Sequence, residues 1–187
     1  MAQQRLLAGA ARGVWCVPTH PRFTPFALAP YLAGGHRAYV SFFSALHLHG
    51  LIEQIPQVIY AATTGPTRVK KTPVGTYSFH RIHPRFFAGF DWYQGRQEFL
   101  IASPEKALVD CLYLSSRRGK RFAHFPELDL GGQFSIRRAA EWVAEIPDAR
   151  IRVFAVCRLK AIRRGSRQRS QRAAAAYRNA AYPARSR

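Results

Sequence analysis

The stretch that decides the fold is Ser103-Pro-Glu-Lys-Ala-Leu-Val-Asp-Cys-Leu-Tyr-Leu-Ser115, which carries the clearest helix signal of the chain. Ser103 can cap the first turn, and Pro104 stands at the first helical position, where its missing N–H costs nothing. Glu105 lies where the positive end of the helix dipole favours an anion. The helix-spaced positions that follow form one face: Leu108, Cys111, Leu112 and Ser115. The sequence predicts a structural helix, with Glu105 complementing its start and Lys106 solvated.

A second helix is predicted upstream, in the segment Tyr-Val-Ser-Phe-Phe-Ser-Ala-Leu-His-Leu-His-Gly that begins at Tyr39. Ser41 can cap a helix from Phe42 to His49, and Gly50 can end it in a left-handed conformation. A shorter helix is predicted further upstream, with Pro25 in its first turn.

A third main helix is predicted near the end of the chain, from Ser135 to about Ile146, where Pro147 stops it. Its apolar positions recur at helical spacing: Ile136, Ala139, Ala140, Val143 and Ile146. The segment Ile151 to Val156 is apolar and basic, and its pattern fits a strand or a helix.

Strand signals lie between the second helix and Ser103. Val58 to Thr63 is rich in β-formers and mostly apolar, which predicts a buried strand. Thr67 to Thr72 reads as a basic strand, and after a turn Tyr77 to His83 alternates as a half-buried strand does. Gln97 to Ala102 is another short strand. We expect these strands to form an antiparallel meander.

In this order, these segments resemble the C-terminal domain of AbiEi-type antitoxins, the regulators of type IV toxin–antitoxin systems. The resemblance extends from about Leu6 to Ala149, and the Pro-Glu-Lys-Ala-Leu stretch is a signature that we interpret as a feature of the fold. The expected fold class is α+β. A small antiparallel sheet would pack against three helices, at 42–49, 104–115 and 136–146, with a wing-like remnant before it and a basic tail after it.

The resemblance divides the chain into three parts. Residues 1–20 would be the remnant of a winged helix-turn-helix, with the last helix turn and the wing strand between Leu6 and Pro18. Residues 21–157 would be the antitoxin-type α+β domain. Residues 158–187 contain almost no large apolar side chain, so we expect a disordered basic tail or a loose helix. Because no recognition helix precedes the wing, we expect a shortened family member or a gene whose upstream sequence was lost.

The charge of the chain is strongly positive and unevenly placed. It has 29 basic and 10 acidic residues, for a net charge of +19, and no acid follows Asp148. A basic surface favours polyanions, because neutralising phosphates releases counterions. The alternative for the tail is a solvated segment that binds nothing specific. On a strand, Arg68 and Lys70 would share one face. The candidate nucleic-acid contacts are Arg68, Lys70, Lys71, Arg163 and Arg164.

The sequence lacks the motifs of the enzyme classes considered, so no catalytic residue and no cofactor is predicted. None of the five lysines has an acid two positions before it, as a PD-(D/E)xK nuclease needs. Phosphate-binding and nucleophile-elbow motifs are also missing from the sequence. His47 and His49 would point to different faces of a helix, and His80 and His83 to opposite sides of a strand. With no acid near either pair, no metal site is predicted.

The resemblance implies an antitoxin and transcriptional autoregulator whose DNA partner is the promoter of its own operon. It would counter a nucleotidyltransferase-like toxin without forming a stable complex. The alternative is a non-specific nucleic-acid-binding protein that uses the basic hairpin and tail. A third hypothesis is that the chain is a non-functional relic. Three widely spaced cysteines and no signal peptide favour a cytoplasmic protein. The longest apolar stretch, Ala38 to Ile52, is shorter than the ~20 residues of a membrane span.

Overall fold

The computed structural model describes residues 7–95, 98–116, 122, 124–131 and 134–181, and the side chains of the last helix only in part beyond Ser166. Within these residues the chain is a mixed α/β protein. The helices are α1 Ala29–Leu32, α2 Phe42–Leu48, α3 Pro104–Ser115, α4 Ile136–Ala144 and α5 Ala149–Ala181. The strands are β1 Ala8–Ala11, β2 Val14–Cys16, β3 Ala38–Val40, β4 Ile59–Thr63, β5 Arg68–Thr72, β6 Gly75–Arg81, β7 Phe90–Trp92 and β8 Leu100–Ala102.

The main sheet has six strands in the order β5-β6-β4-β3-β8-β7, and two of its five pairings are parallel. β4 runs parallel to β6, and β3 runs parallel to β8, so the expected antiparallel meander is wrong. The physical reason lies in burial. All residues from Tyr77 to His80 in β6 are buried, which requires an inner position, whereas the basic strand β5 takes the edge. The chain therefore passes β6 back between β4 and β5.

The sheet is covered on both faces. Its register places Tyr39, Tyr60 and His80 on one face, on the side of α2 and α3. Tyr77 lies on the other face, where its hydroxyl donates a hydrogen bond to the carbonyl oxygen of Pro25, 2.7 Å away. That oxygen belongs to a 3-10 helix, Pro25–Leu28, which leads directly into α1. The short helix predicted around Pro25 is thus the second covering layer.

The three main helices predicted from the sequence are confirmed, with ends shifted by one or two residues. α3 lies at the centre of the helical layer, where it contacts α2, α4 and α5. Ser103 caps it, and the Ser103 hydroxyl accepts a hydrogen bond from the backbone N–H of Lys106. The strand expected at 97–102 is present as β8, although Gln97 lies outside the described residues.

The N-terminal segment is a two-stranded hairpin, β1 with β2. The wing strand was expected within this segment and stays a prediction, whereas Ala8–Ala11 is a strand and not the expected last helix turn. The turn between the strands contains Gly13, whose positive φ of 73° favours glycine. Trp15 packs across Gly9 on the partner strand, where a Cβ would lie 3.3 Å from the indole ring.

α5 crosses the expected boundary between domain and tail, and of the two states expected after residue 157, disorder or a loose helix, the described part is helical. Asp148 starts this helix, because its carboxylate accepts the N–H groups of Arg150 and Ile151. The reason for its continuation is an apolar stripe that spans the boundary. Leu159 is buried and Ile162 packs against the core. These two residues extend the helix-spaced series that begins with Ile151 and Ala155.

Candidate nucleic-acid interface

Arg68, the first predicted nucleic-acid contact, is held inside the fold. Its Nη2 donates a hydrogen bond to the carbonyl oxygen of Leu32, 2.9 Å away, and its guanidinium lies over the Phe79 ring. The same group passes so close to Gly34 that a Cβ there would lie 2.4 Å from Nη2. Arg68 therefore fastens the edge strand β5 to the end of α1, and its donors are partly used within the protein.

The two lysines of β5 point in opposite directions, as the strand pattern predicts. Lys70 pairs with Tyr77 and is half-buried on the face of Arg68, whereas Lys71 is exposed on the other face. Beside Lys71, the side chain of Val69 is 59% exposed. The β5–β6 hairpin therefore presents one exposed lysine on one face and one half-buried lysine on the other.

The remaining predicted contacts, Arg163 and Arg164, are exposed on α5, together with Lys160. In the described residues, no side-chain hydrogen bond or ion pair occupies any of these three groups. The earlier Arg152 differs, because its Nε donates to the carbonyl oxygen of Ile146 at the end of α4. The structure does not bring the two basic groups together into one site. β5 forms an edge of the sheet, and α5 packs on α3 and α4.

A buried polar cluster links α3 to β3, and the sequence analysis missed it. Lys106, expected in solvent, is completely buried, and its ammonium group forms an ion pair with Asp110, one turn later on α3. The same ammonium group donates a hydrogen bond to the Tyr39 hydroxyl, 3.0 Å away. Tyr39 and Ser41 in turn donate to the second carboxylate oxygen of Asp110, at 3.0 and 2.7 Å. The Pro-Glu-Lys-Ala-Leu segment and the residues after it thus supply Lys106 and Asp110 to an internal network, and Tyr39 and Ser41 supply the rest.

The surroundings of Lys106 are aromatic. Its Nζ lies 3.8 Å from the centroid of the Phe86 ring, a cation–π contact, and 5.8 Å from that of Trp142. Burial lowers the pKa of the Lys106 ammonium group, and the Asp110 carboxylate opposes that shift. Burial, followed by the charge of Asp110, raises the pKa of the Tyr39 hydroxyl well above its usual value. Because the cluster is closed to solvent, its chemistry serves the packing of the fold.

Glu105 occupies the first turn of α3, as predicted, but it also reaches another helix. It is buried, and its carboxylate accepts a hydrogen bond from the backbone N–H of Ser135, 2.9 Å away. Ser135 is the N-cap of α4, and its own hydroxyl accepts the N–H of Arg138. Glu105 therefore joins the starts of two helices.

Three of the histidines considered in the sequence, His47, His49 and His80, make separate contacts within the fold. A ring nitrogen of His49 lies 2.8 Å from the carbonyl oxygen of Ala102, and one of His47 lies 3.3 Å from that of Ile52. The ring of His80 contacts the hydroxyl of Ser78. Across the described part of the chain, no three histidine, cysteine or acidic side chains are grouped as a metal site.

An open cleft of about 420 Å³ lies beside the edge strand β7, and no sequence pattern singled it out. Its wall includes Asp91, Trp92 and His49. The Trp92 side chain is 57% exposed, and the Asp91 carboxylate accepts the N–H of Trp92. The cleft combines an aromatic face with one acid, which gives it no positive charge for a phosphate.

Among the helices that the structure describes, none combines the length and the apolar character needed to cross a membrane. The chain matches no protein-family model, and no curated protein is significantly similar to it in sequence.

The candidate interface is the exposed basic part of α5, which includes Lys160, Arg163 and Arg164. Its exposure and its positive charge are the reasons for this choice.

Proposed function

We propose that the chain is an antitoxin of the AbiEi type, which counters a nucleotidyltransferase-like toxin without forming a stable complex with it. The observation that carries the proposal is the contact between the two segments on which the resemblance depends most. Tyr39 and Ser41 come from the first segment, and Lys106 and Asp110 come from the Ser-Pro-Glu-Lys-Ala-Leu-Val-Asp segment. The two segments that carry the resemblance thus meet in one buried network, and this contact supports the proposal.

The test is protection from the toxin in growing cells. A nucleotidyltransferase-like toxin, taken from the gene beside this one if that gene encodes such a protein, would be induced alone and together with the chain. We expect growth to recover with the chain present, and co-purification to yield no stable complex. A soluble, folded chain that leaves toxicity unchanged would contradict the proposal. The variant with Arg163→Gln and Arg164→Gln is the control for effects of the basic helix, and it should still protect.

A second candidate function is non-specific binding of nucleic acid, and the acid-free sequence after Asp148 favours it. Phosphate contacts position a protein on a duplex but do not select a sequence. We expect affinity to fall steeply with salt, and a competition gel shift to show little preference for promoter DNA over a scrambled duplex. A preference of about 10³-fold, the lower end for specific binders, would contradict this candidate and favour the autoregulator.

A further inference from the structure

We propose that the part of α5 beyond Ile162 is a duplex-DNA-binding helix, and that this helix, not the β5–β6 hairpin, makes the main phosphate contacts. The inference rests on the second candidate function and assigns that function to one element. It follows from three observations: the position at which the core packing of α5 ends, the distribution of its charges, and the scarcity of large apolar residues in this part of its sequence.

The packing of α5 on the core ends well before the helix does. Ile162 is the last of its described side chains that packs against the hydrophobic core. From Arg163 to Ala181 the helix continues for ~28 Å at 1.5 Å per residue. The described side chains in this part that follow Arg163 and lie on the outside are Arg164, Gln168 and Gln171. A single helix, about 10–12 Å across with its side chains, fits the B-DNA major groove, which is about 12 Å wide.

This part of α5 is basic in sequence, with six arginines and no acid from Arg163 to Ala181, and one acid from another segment, Glu127, lines a cleft with Ile162 and Gly165. Asp148 is the last acid of the sequence, and Arg163 lies 15 positions after it, or ~22 Å along the helix axis. That distance is about twice the Debye length of ~10 Å at 0.1 M salt, so Asp148 hardly weakens the field there. On β5, by contrast, Arg68 already donates to Leu32. Charge complementarity therefore points to a polyanion on α5.

The composition of the helix selects duplex DNA among polyanionic surfaces. From Arg163 to Ala181 the sequence has one large apolar residue, Tyr177. A helix that lies in a lipid surface needs an apolar face with several large side chains, which this segment does not have. Double-stranded RNA has a deep, narrow major groove that side chains cannot read, so a helix of this width does not enter it.

The experiment measures the fluorescence anisotropy of a labelled 20-base-pair DNA duplex of mixed sequence, titrated with the full chain across a salt series. Three variants each remove two positive charges: Arg163→Gln with Arg164→Gln on α5, Lys70→Gln with Lys71→Gln on β5, and Arg137→Gln with Arg138→Gln on α4 as the control. All replace described, non-core side chains, and thermal unfolding checks that each variant is folded.

We expect the α5 variant to bind more weakly and to make the negative slope of log K against log salt less steep, by about 0.9 for each phosphate that it no longer neutralises. The β5 and α4 variants should keep the slope of the wild type. Weaker binding by the β5 variant only, or by all three variants equally, would overturn the assignment to α5 while leaving nucleic-acid binding in place. A wild-type chain that binds no duplex would overturn the binding function itself. Equal binding of double-stranded RNA or of anionic phosphatidylglycerol vesicles would overturn the choice of DNA.

Discussion

The ammonium group of Lys106 donates a hydrogen bond to the hydroxyl of Tyr39 across 67 residues of chain. This bond joins α3 to β3, and Asp110 completes the junction by accepting from Tyr39 and pairing with Lys106. A charge removed from water is tolerated only when it is paired and hydrogen-bonded. Replacing Lys106 or Asp110 would therefore leave the other charge buried without its partner.

The first prediction concerns this buried pair. Lys106→Met should lower the free energy of unfolding by ~3–5 kcal/mol, because it leaves the Asp110 carboxylate buried without its counter-charge. Asp110→Asn should cost a similar amount for the opposite reason. The double variant should be less destabilised than the sum, since neither charge remains. Urea denaturation measures all three. Strictly additive costs would show that the two groups do not depend on each other.

The matched control for that cycle is the exposed pair Arg137 and Glu141, which has the same i, i+4 spacing on α4. Its nitrogen and oxygen are 3.8 Å apart, with both side chains mostly in solvent. A surface pair of this kind contributes roughly 0–1 kcal/mol. The same double-mutant cycle should therefore give a much smaller coupling energy here.

The second prediction concerns stability at alkaline pH. Burial, followed by the nearby Cys16 thiol, raises the pKa of the Tyr77 hydroxyl, so the folded state keeps a proton that the unfolded chain releases near pH ~10. The stabilisation is complete below that pH and is lost as the pH rises above it. Tyr77→Phe should cost about 1 kcal/mol at neutral pH, through the bond to Pro25, and should make the alkaline loss less steep.

Denaturation midpoints between pH 7 and pH 11 test this second prediction. Tyr31→Phe is the control, because the Tyr31 side chain is 68% exposed. It should leave the alkaline part of the profile as in the wild type. If Tyr77→Phe also leaves that part unchanged, the Tyr77 hydroxyl is not the group that responds to pH.

The third prediction concerns the length of α5 that the core needs. From the sequence, truncation after Cys157 should leave a cooperative thermal transition, but it removes the buried Leu159 and the packed Ile162. Losing a buried leucine side chain alone costs ~2–5 kcal/mol. We therefore expect a chain ending at Ser166 to melt like the full chain, and one ending at Cys157 to melt at a clearly lower temperature. Equal melting temperatures would place the part of α5 after Cys157 outside the core.

The fourth prediction separates packing from polar contacts at α3. Leu112→Ala should destabilise the fold by ~2–5 kcal/mol, because the residue is completely buried. Glu105→Gln keeps an oxygen that can accept the N–H of Ser135, so it should change stability little. Both variants would be assayed for unfolding and for protection against the toxin. A Glu105→Gln variant that folds normally and no longer protects would give Glu105 a role beyond structure.

The helices and the longer strands were predictable because local rules specify them. Ser103 and Pro104 mark a helix start whatever the chain does elsewhere, and the apolar β-rich run of β4 is visible within five residues. The alternation from Tyr77 to His83 predicted a half-buried strand, which is wrong for β6, because Tyr77 to His80 are all buried. The parallel pairings were not predictable, since they depend on which strands can be buried on both faces. β3 and β7 have three residues each, too few to show a period.

The candidate interface was predictable only in composition. Counting charges correctly identifies Arg163 and Arg164 as basic residues without acidic neighbours in sequence. Counting charges also selects Arg68, although the fold uses its guanidinium for a hydrogen bond to the Leu32 carbonyl oxygen. The sequence does not show that bond, because the position of Leu32 relative to Arg68 depends on tertiary structure. Lys106 was misjudged for the same reason. A lysine in a helix signature is usually solvated, and only the partners on β3 make its burial favourable.

The parallel pairing of Val40 with Ile101 has a consequence for synthesis on the ribosome. The first half of the chain emerges with β3 lacking a neighbour on one side, and with Tyr39 and Ser41 lacking the carboxylate of Asp110. Long-range contacts of this kind form slowly and leave strand edges open to other chains in the meantime. A nascent chain therefore cannot complete its sheet until β8 has been translated, and the partners of Tyr39 and Ser41 follow only with α3. A fragment that ends earlier has an open β3 edge and is prone to aggregation.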